Sequence, residues 1–378
     1  MEIELLSTAN RVRIAGITLC LFFSVGFSAE QLPSRITDQA FWKLITDTSE
    51  AGGTFVSDNF VSNELAVQEV LTSLTEGRKP GGVYLGVGPE QNFTYIAALK
   101  PKIAFVFDIR RQNLLEHLTY KALFEMSTDR ADFLSRLFSR RRPPDLDKDS
   151  SAVVLFDAFD DVAADPDLYQ ENLGAIKHRL TGEHGFALSM EDELSIGNIF
   201  RAFYVGGPNL TYSGPRPPVR TILPTYEELM TDSDSTGKAR SFLASEENFH
   251  AVQQLEKNNL IIPIIADFAG PTAIRSVGRY LKEHSATVTA FYVSNVEQYL
   301  FMNEGWKIFY ANVATLPLDS NSVFIRPLIN TGTGTYTASP LFRTGFHWDT
   351  LLFRIQDLIS AFDAGMIHGY YDIIQLPN

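Results

Sequence analysis

The chain has 378 residues, 45% hydrophobic and 20% charged, which is the profile of a globular protein of one large or two smaller domains. A core of that size needs no disulfide or metal to hold it. Cys20 is the only cysteine and the seven histidines are scattered singly, so disulfide scaffolds and thiolate chemistry are excluded downstream and no metal site is expected. A net charge of −13 argues against nucleic acid, which calls for a basic face. The one basic run, Arg140 to Arg142, is followed by two prolines and then Asp145, Asp147 and Asp149, and reads as a solvated loop.

Residues 14–29 are uncharged and follow Arg11 and Arg13. That stretch is short for a membrane span of roughly 20 residues and suits a signal-peptide core of roughly 7–15. Residues 1–29 are therefore read as a signal peptide or membrane anchor, with export or tethering through 14–29. The alternative is a true start further along, which leaves a cytoplasmic protein.

A helix is expected around Phe41–Ile45, and a second from Leu65 to Leu74, whose apolar residues recur at helical spacing. Val83 to Gly88 is a short apolar run leading into glycines, Asn92 to Leu99 a helix, and Ile103 to Phe107 a continuous apolar run ending in Asp108. This is strand, glycine turn, helix, strand, acid: the first βαβ unit of a parallel sheet covered on both faces. From 113 to 258 the pattern is mainly helical, with one strand expected at Val153–Phe156. The α/β rhythm returns with a strand from Leu260 to Ala266 ending at Asp267, and a helix starting near Pro271. A strand from Thr287 to Val293 ends at Ser294-Asn295. A helix through Tyr299 to Met302, a strand at Val323–Ile325, a turn at Thr331–Gly334, a helix from Leu351 to Phe362 and a strand from Tyr370 to Leu376 complete the pattern.

In an open parallel sheet, ligands bind beyond the carboxyl ends of the strands. Four such ends carry glycine or polar residues here: Gly86-Val87-Gly88, Asp108, Asp267 and Asn295. Gly86 and Gly88 would let the backbone approach a ligand closely, and the helix behind them favours an anionic group. Asp108 stands where an acid accepts hydrogen bonds from ribose hydroxyls. Each feature has a plainer alternative. The glycines make a tight turn, Asp108 pairs with Arg110 or Arg111, Asp267 caps the helix near Pro271, and Asn295 caps the helix containing Tyr299.

The order of these features resembles the class I S-adenosylmethionine-dependent methyltransferases over two blocks, 80–112 and 258–335. The stretch Val83 to Arg111 also resembles bacterial proteins of unassigned activity. Between the second and third strands the chain carries a largely helical insertion, long for the methyltransferase family, and the resemblance implies an α/β fold with a mostly parallel Rossmann-like sheet and helices on both faces. It divides the chain into 30–112, N-terminal helices and the first half of that domain, 113–258, an insertion or cap, and 259–378, the second half. It implies S-adenosylmethionine as cofactor, with Gly86 and Gly88 along its methionine and ribose portion and Asp108 on the ribose. Asp267 and Phe268 would flank the adenine, and the Ser294–Glu297 loop would face the transferred methyl group, with Asn295 or Glu297 orienting the nucleophile. The sequence departs from the family at Tyr84, where an acid is usual, and at Glu90, where a third glycine is usual. Glu90 is assigned to the ligand's ammonium group, the alternative being a site that no longer binds cofactor.

A dinucleotide is the rival ligand, but its third glycine would fall at Gln91. Gly-x-Ser-x-Gly does not occur. Asp157, Asp160 and Asp161 read as a solvated loop, and Tyr292, Tyr299 and Trp306 as core or pocket wall. The function expected is methyl transfer to a small molecule or lipid headgroup. The alternative is a non-catalytic binding or scaffold protein on the same fold, exported or tethered.

Overall fold

The structure is a computed structural model that describes residues 31–144, 146–215, 223–234, 236–329 and 348–376. The segment 14–29 and the turn expected at Thr331–Gly334 lie outside the described residues. Among the described residues no helix is long and apolar enough to cross a membrane.

The chain enters through helix α1 (Asp38–Thr48), capped by Thr37, and a short helix α2 (Leu71–Thr75). In place of one continuous helix over 65–74 there is a 3-10 turn and then α2, yet Val67, Val70, Leu71 and Leu74 are buried as the spacing requires. Strand β1 (Val83–Val87), helix α3 (Gln91–Leu99) and strand β2 (Ile103–Asp108) follow as expected. Every residue of β1 and β2 is buried, and since successive side chains alternate sides, both faces of the sheet are covered there.

Helices α4 (Arg111–Met126), α5 (Arg130–Phe138), α6 (Ala152–Asp160), α7 (Pro166–Lys177) and α8 (Met190–Gly206) come next. A two-residue hairpin, β3 (Leu210–Thr211) with β4 (Gly214–Pro215), separates them from α9 (Tyr226–Thr231) and α10 (Glu246–Lys257). The strand expected at Val153–Phe156 is instead part of α6. Ser151 caps that helix, and Leu155, Phe156 and Phe159 share its buried side while Val153 and Val154 face out, a helical rather than an alternating pattern. This block shares the sheet's core: Phe93 of α3 packs edge-on against Tyr120 and Phe124 of α4 and against Phe242.

The second run of the sheet is β5 (Ile261–Ile265), α11 (Ala273–Glu283), β6 (Val288–Tyr292), α12 (Val296–Met302), α13 (Trp306–Val313) and β7 (Val323–Ile329). Two expectations at the end are overturned. Trp348–Arg354 is strand β8, not the start of a helix, and pairs antiparallel with β7 from Val323↔Arg354 to Ile329↔Trp348. Helix α14 (Ile355–Asp363) begins only after it, and Tyr370–Ile374 is helix α15 rather than a strand. Asp372 accepts from the His368 and Gly369 backbone N–H groups at the start of α15, a local cap that holds the helical turn.

The protein is thus α/β, built on a six-stranded, mostly parallel sheet in the order β5-β2-β1-β6-β7-β8. β5, β2, β1, β6 and β7 run parallel and only β8 is reversed, so the carboxyl ends of five strands share one edge.

Candidate functional site

That edge carries a cleft of about 960 Å³, its open mouth included. Its floor comes from four strand ends: Gly88-Pro89 after β1, Asp108 to Arg110 at β2, Ala266 to Phe268 after β5, and Ser294 to Val296 after β6. A strap ahead of α2 contributes Phe55, Asn59 and Ser62 to Glu64, and α12 contributes Tyr299 and Leu300. Gly88, Asp108, Asp267, Phe268 and Asn295 therefore converge although up to 207 positions separate them.

Gly88 has φ +82°, a backbone that favours glycine, and a Cβ built on it would meet only the Gln91 amide nitrogen, at 3.2 Å. Its carbonyl accepts from His117 Nε2 at 2.9 Å and from Asn92 Nδ2 at 3.1 Å, which fixes the turn. Asp108 lines the cleft but is clasped by Arg110, whose Nε and Nη2 donate to the two carboxylate oxygens at 3.0 and 2.7 Å. The ion pair foreseen as a plainer alternative is real, and buried rather than superficial. Asp267 is exposed and accepts from the Ala269 N–H at 2.9 Å. It does not cap α11; Glu50 does, accepting from the Thr272 and Ala273 backbone N–H groups at 2.9 and 3.0 Å. Phe268 is buried, stacked on Phe309 with centroids 5.0 Å apart. Asn295 holds the N-cap position of α12 but makes no capping hydrogen bond, so its side chain is left to the cleft.

Three expected residues do not line the cleft. A Cβ on Gly86 would lie 1.9 Å from Asn92 Oδ1 and 2.8 Å from the Tyr84 ring, so this glycine makes room for a side chain, not for a ligand. Asn92 in turn donates to the Val87, Gly88 and Pro89 carbonyls and accepts from Tyr84 O–H, so the tyrosine at position 84 serves the turn itself. Gly86→Ala is expected to lower stability by about 2–3 kcal/mol in urea titration, because Asn92 must leave its three carbonyls; a change below about 0.5 kcal/mol would show that the turn does not need this packing. Glu90 is fully buried and accepts from the Ser62 N–H with both oxygens at 3.1 Å, so it pins the strap to α3 and is not available to a ligand's ammonium group. Burial pushes its carboxyl up to about 8. Glu297 is also turned inward, held by Arg326 at 2.5 and 2.8 Å and by Tyr310 O–H at 2.8 Å, and it cannot orient a nucleophile in the cleft.

The residue missed by sequence reading is Glu64. It is buried on the cleft wall and accepts from Tyr292 O–H and Ser294 O–H, both at 2.5 Å, and burial raises its carboxyl to about 7. No local pattern marks it: an acid just before an apolar helical stretch is the commonest of helix-start signals. Tyr292 and Tyr299, read as core or wall, are both in contact with the site, Tyr292 through Glu64 and Tyr299 as part of the lining. Among the described residues the ionisable groups lining the cleft are Glu64, Asp108 and Asp267 against one guanidinium, Arg110, already paired.

The model of a family described as a domain of unknown function (DUF7790) matches residues 59–165 and 210–357. Those two blocks contain the strap from Asn59 to Glu64 and all four strand ends of the cleft. No curated protein matches the chain.

Proposed function

The chain belongs to the DUF7790 family, and from that premise we propose that it binds S-adenosylmethionine in the strand-end cleft and acts as a methyltransferase on a small molecule or lipid headgroup. One observation carries the reading: residues following four different strands, Gly88, Asp108, Asp267 with Phe268, and Asn295, line one cleft. The strand order, third-second-first-fourth-fifth counted within the main sheet, supports a Rossmann-like domain whose residues 113–258 are an insertion between its second and third strands.

The residues present suit such a ligand. The open side of Gly88 lets the methionine portion lie against the turn. Asp108 keeps lone pairs for ribose hydroxyls beyond those Arg110 takes, and Asp267, Ala266 and Phe268 give adenine one acceptor and an apolar wall. Asp267, joined by Glu64 where that carboxyl is ionised, disfavours the pyrophosphate of a dinucleotide, while Arg110 is already taken by Asp108. When bound, S-adenosylmethionine supplies a methyl group on a sulfonium that is open to in-line displacement. The chain's part is then mainly positioning, with Asn295, which lines the cleft, as the residue that would orient the nucleophile.

In a thermal-shift series on the full chain, saturating S-adenosylmethionine or S-adenosylhomocysteine at about 100 times the dissociation constant is expected to add roughly 2–3 kcal/mol to stability. No shift at millimolar ligand, or a shift with NAD alone, sinks the proposal. A second reading, a binding protein without catalysis, is favoured by the internal engagement of Glu90 by Ser62 and of Asp108 by Arg110; it requires ligand binding with no transfer of labelled methyl to any acceptor. Export or tethering through residues 14–29 is tested by fractionating tagged protein.

A further inference from the structure

One corner of the cleft carries Glu64, Gln91 and Ser294, with Tyr292 hydrogen-bonded to the first two; of these the resemblance assigns only Ser294, as part of the loop facing the methyl group. Glu64 is a carboxylate on that wall whose partners are two neutral hydroxyls. Among the described residues, the titratable groups that sense it are Tyr84, Tyr95, Tyr292, Tyr370 and Glu90, and none of these is a cation. Arg110, the guanidinium in the same cleft, is paired with Asp108.

A second, independent feature points the same way. Gln91 is buried and its Oε1 has no hydrogen-bond partner. Its orientation is set by chemistry, because Nε2 donates to the Val87 carbonyl and to Tyr292 Oη at 3.2 Å each, and a flip would put two oxygens face to face. Hydrogen bonds then run in one direction, from Gln91 N–H to Tyr292 O–H to the Glu64 carboxylate, and two acceptors on cleft-lining residues, the Glu64 carboxylate and Gln91 Oε1, meet no cation among the described residues. The rings of Tyr95 and Tyr292, 5.1 Å apart, back this corner, and Tyr299 and Leu300 offer an apolar surface across the cleft.

We propose that this corner is a subsite for a protonated amine, carried by a second small molecule whose ammonium group sits on Glu64 and Gln91 Oε1. An ammonium brings the positive charge and the several N–H donors that the two acceptors lack, and a buried carboxylate without a counter-charge is the kind of group that gains most from one. As an acceptor site for methyl transfer the proposal rests on the reading above; as an amine site it stands without it.

The test uses the full chain and three matched probes, phenethylamine, 2-phenylethanol and phenylacetate, in ligand-observed NMR titrations. At pH 8, above the raised range of Glu64 near 7, the amine is expected to bind at least tenfold more tightly than the alcohol, and the acid least. At pH 5.5, where Glu64 is protonated, the amine is expected to lose that preference in the wild-type protein, a readout that needs no variant. Glu64→Gln, checked for folding by circular dichroism, is expected to abolish the preference at pH 8 as well. Amine and alcohol binding equally, no amine binding at 10 mM, or a preference that survives in Glu64→Gln overturns the proposal. Repeating the titration with saturating S-adenosylhomocysteine separates the two sources of ammonium. Undiminished amine binding supports a second molecule, while displacement assigns the corner to the cofactor's own amino group and overturns it. A lost cofactor shift with retained amine preference sinks only the nucleoside reading.

Discussion

Raising the pH from 6.5 to 8 is expected to reduce the unfolding free energy by several kcal/mol, on the order of 3–5. Four fully buried carboxyls cause it: Glu64, raised to about 7, Glu90 and Glu256, each raised to about 8, and Glu116, raised well above its ordinary value, in every case chiefly because burial disfavours the charged form. A carboxyl whose folded-state value is raised holds its proton in the native protein after the unfolded chain has lost it. Its stabilising contribution is full below the unfolded value near 4.5 and disappears as the pH rises through the folded one. His117 works in the opposite sense lower down. Burial depresses it to about 4, so its contribution is complete above 6.5 and does not offset the loss. Asp38, Glu125, Asp129 and Asp192 are lowered and fully ionised throughout this window, whereas His184, raised against its burial by the hydrogen bond to Glu125, loses its own contribution as the pH rises and adds to the decline. Urea titrations at the two pH values measure the difference directly. Equal or greater stability at pH 8 would contradict the assignment of these acids as protonated in the native state near neutrality, and Glu90→Gln should remove part of the slope.

Replacing Arg326 by leucine is expected to destabilise the protein by about 3–5 kcal/mol. The guanidinium is almost completely buried, lies over the rings of Phe324 and Phe353 at 4.6 and 4.9 Å, and donates to both oxygens of Glu297. Removing it leaves Glu297 buried with Tyr310 O–H alone, an uncompensated charge in the core. The double variant Glu297→Leu with Arg326→Leu is expected to recover most of the loss, because an apolar pair of similar volume avoids the desolvation penalty on both charges. Denaturant midpoints of the two single variants and the double variant form the test. Additive losses, with no recovery in the double variant, would mean that Glu297 has a role beyond this ion pair. The outcome also bears on the cleft, since Glu297 is the second residue of α12 and the pair anchors the helix that carries Asn295.

The parallel strands were legible because they are short and predominantly apolar: Val83–Val87, Ile103–Asp108, Ile261–Ile265 and Val288–Tyr292 consist mainly of β-branched, aromatic and other apolar residues and are followed by glycine or polar residues at or just past their ends. The misread elements, Val153–Phe156, Trp348–Arg354 and Tyr370–Ile374, are those in which apolar stretches of two to four residues fit helix or strand equally. There the neighbours decide. β8 is a strand because β7 offers it an edge, and α6 is a helix because its buried side recurs at helical spacing.

For the site, the sequence by itself determined which loops meet, because parallel strands of known order bring their carboxyl ends to one edge whatever the side chains do. It placed Gly88, Asp108, Asp267, Phe268 and Asn295 correctly on that edge. Only the tertiary structure decided which side chains face the cleft. Gly86, Glu90 and Glu297 lie within two residues of cleft-lining positions, yet Gly86 is covered by Asn92 and the two carboxylates are turned inward by Ser62 and Arg326. Glu64 enters from a strap that no strand pattern predicts and meets Tyr292 and Ser294 across 228 and 230 positions. Strand ends are set by backbone topology, which local periodicity encodes; the direction of a buried carboxylate is set by where its hydrogen-bond donors are, and those come from anywhere in the chain.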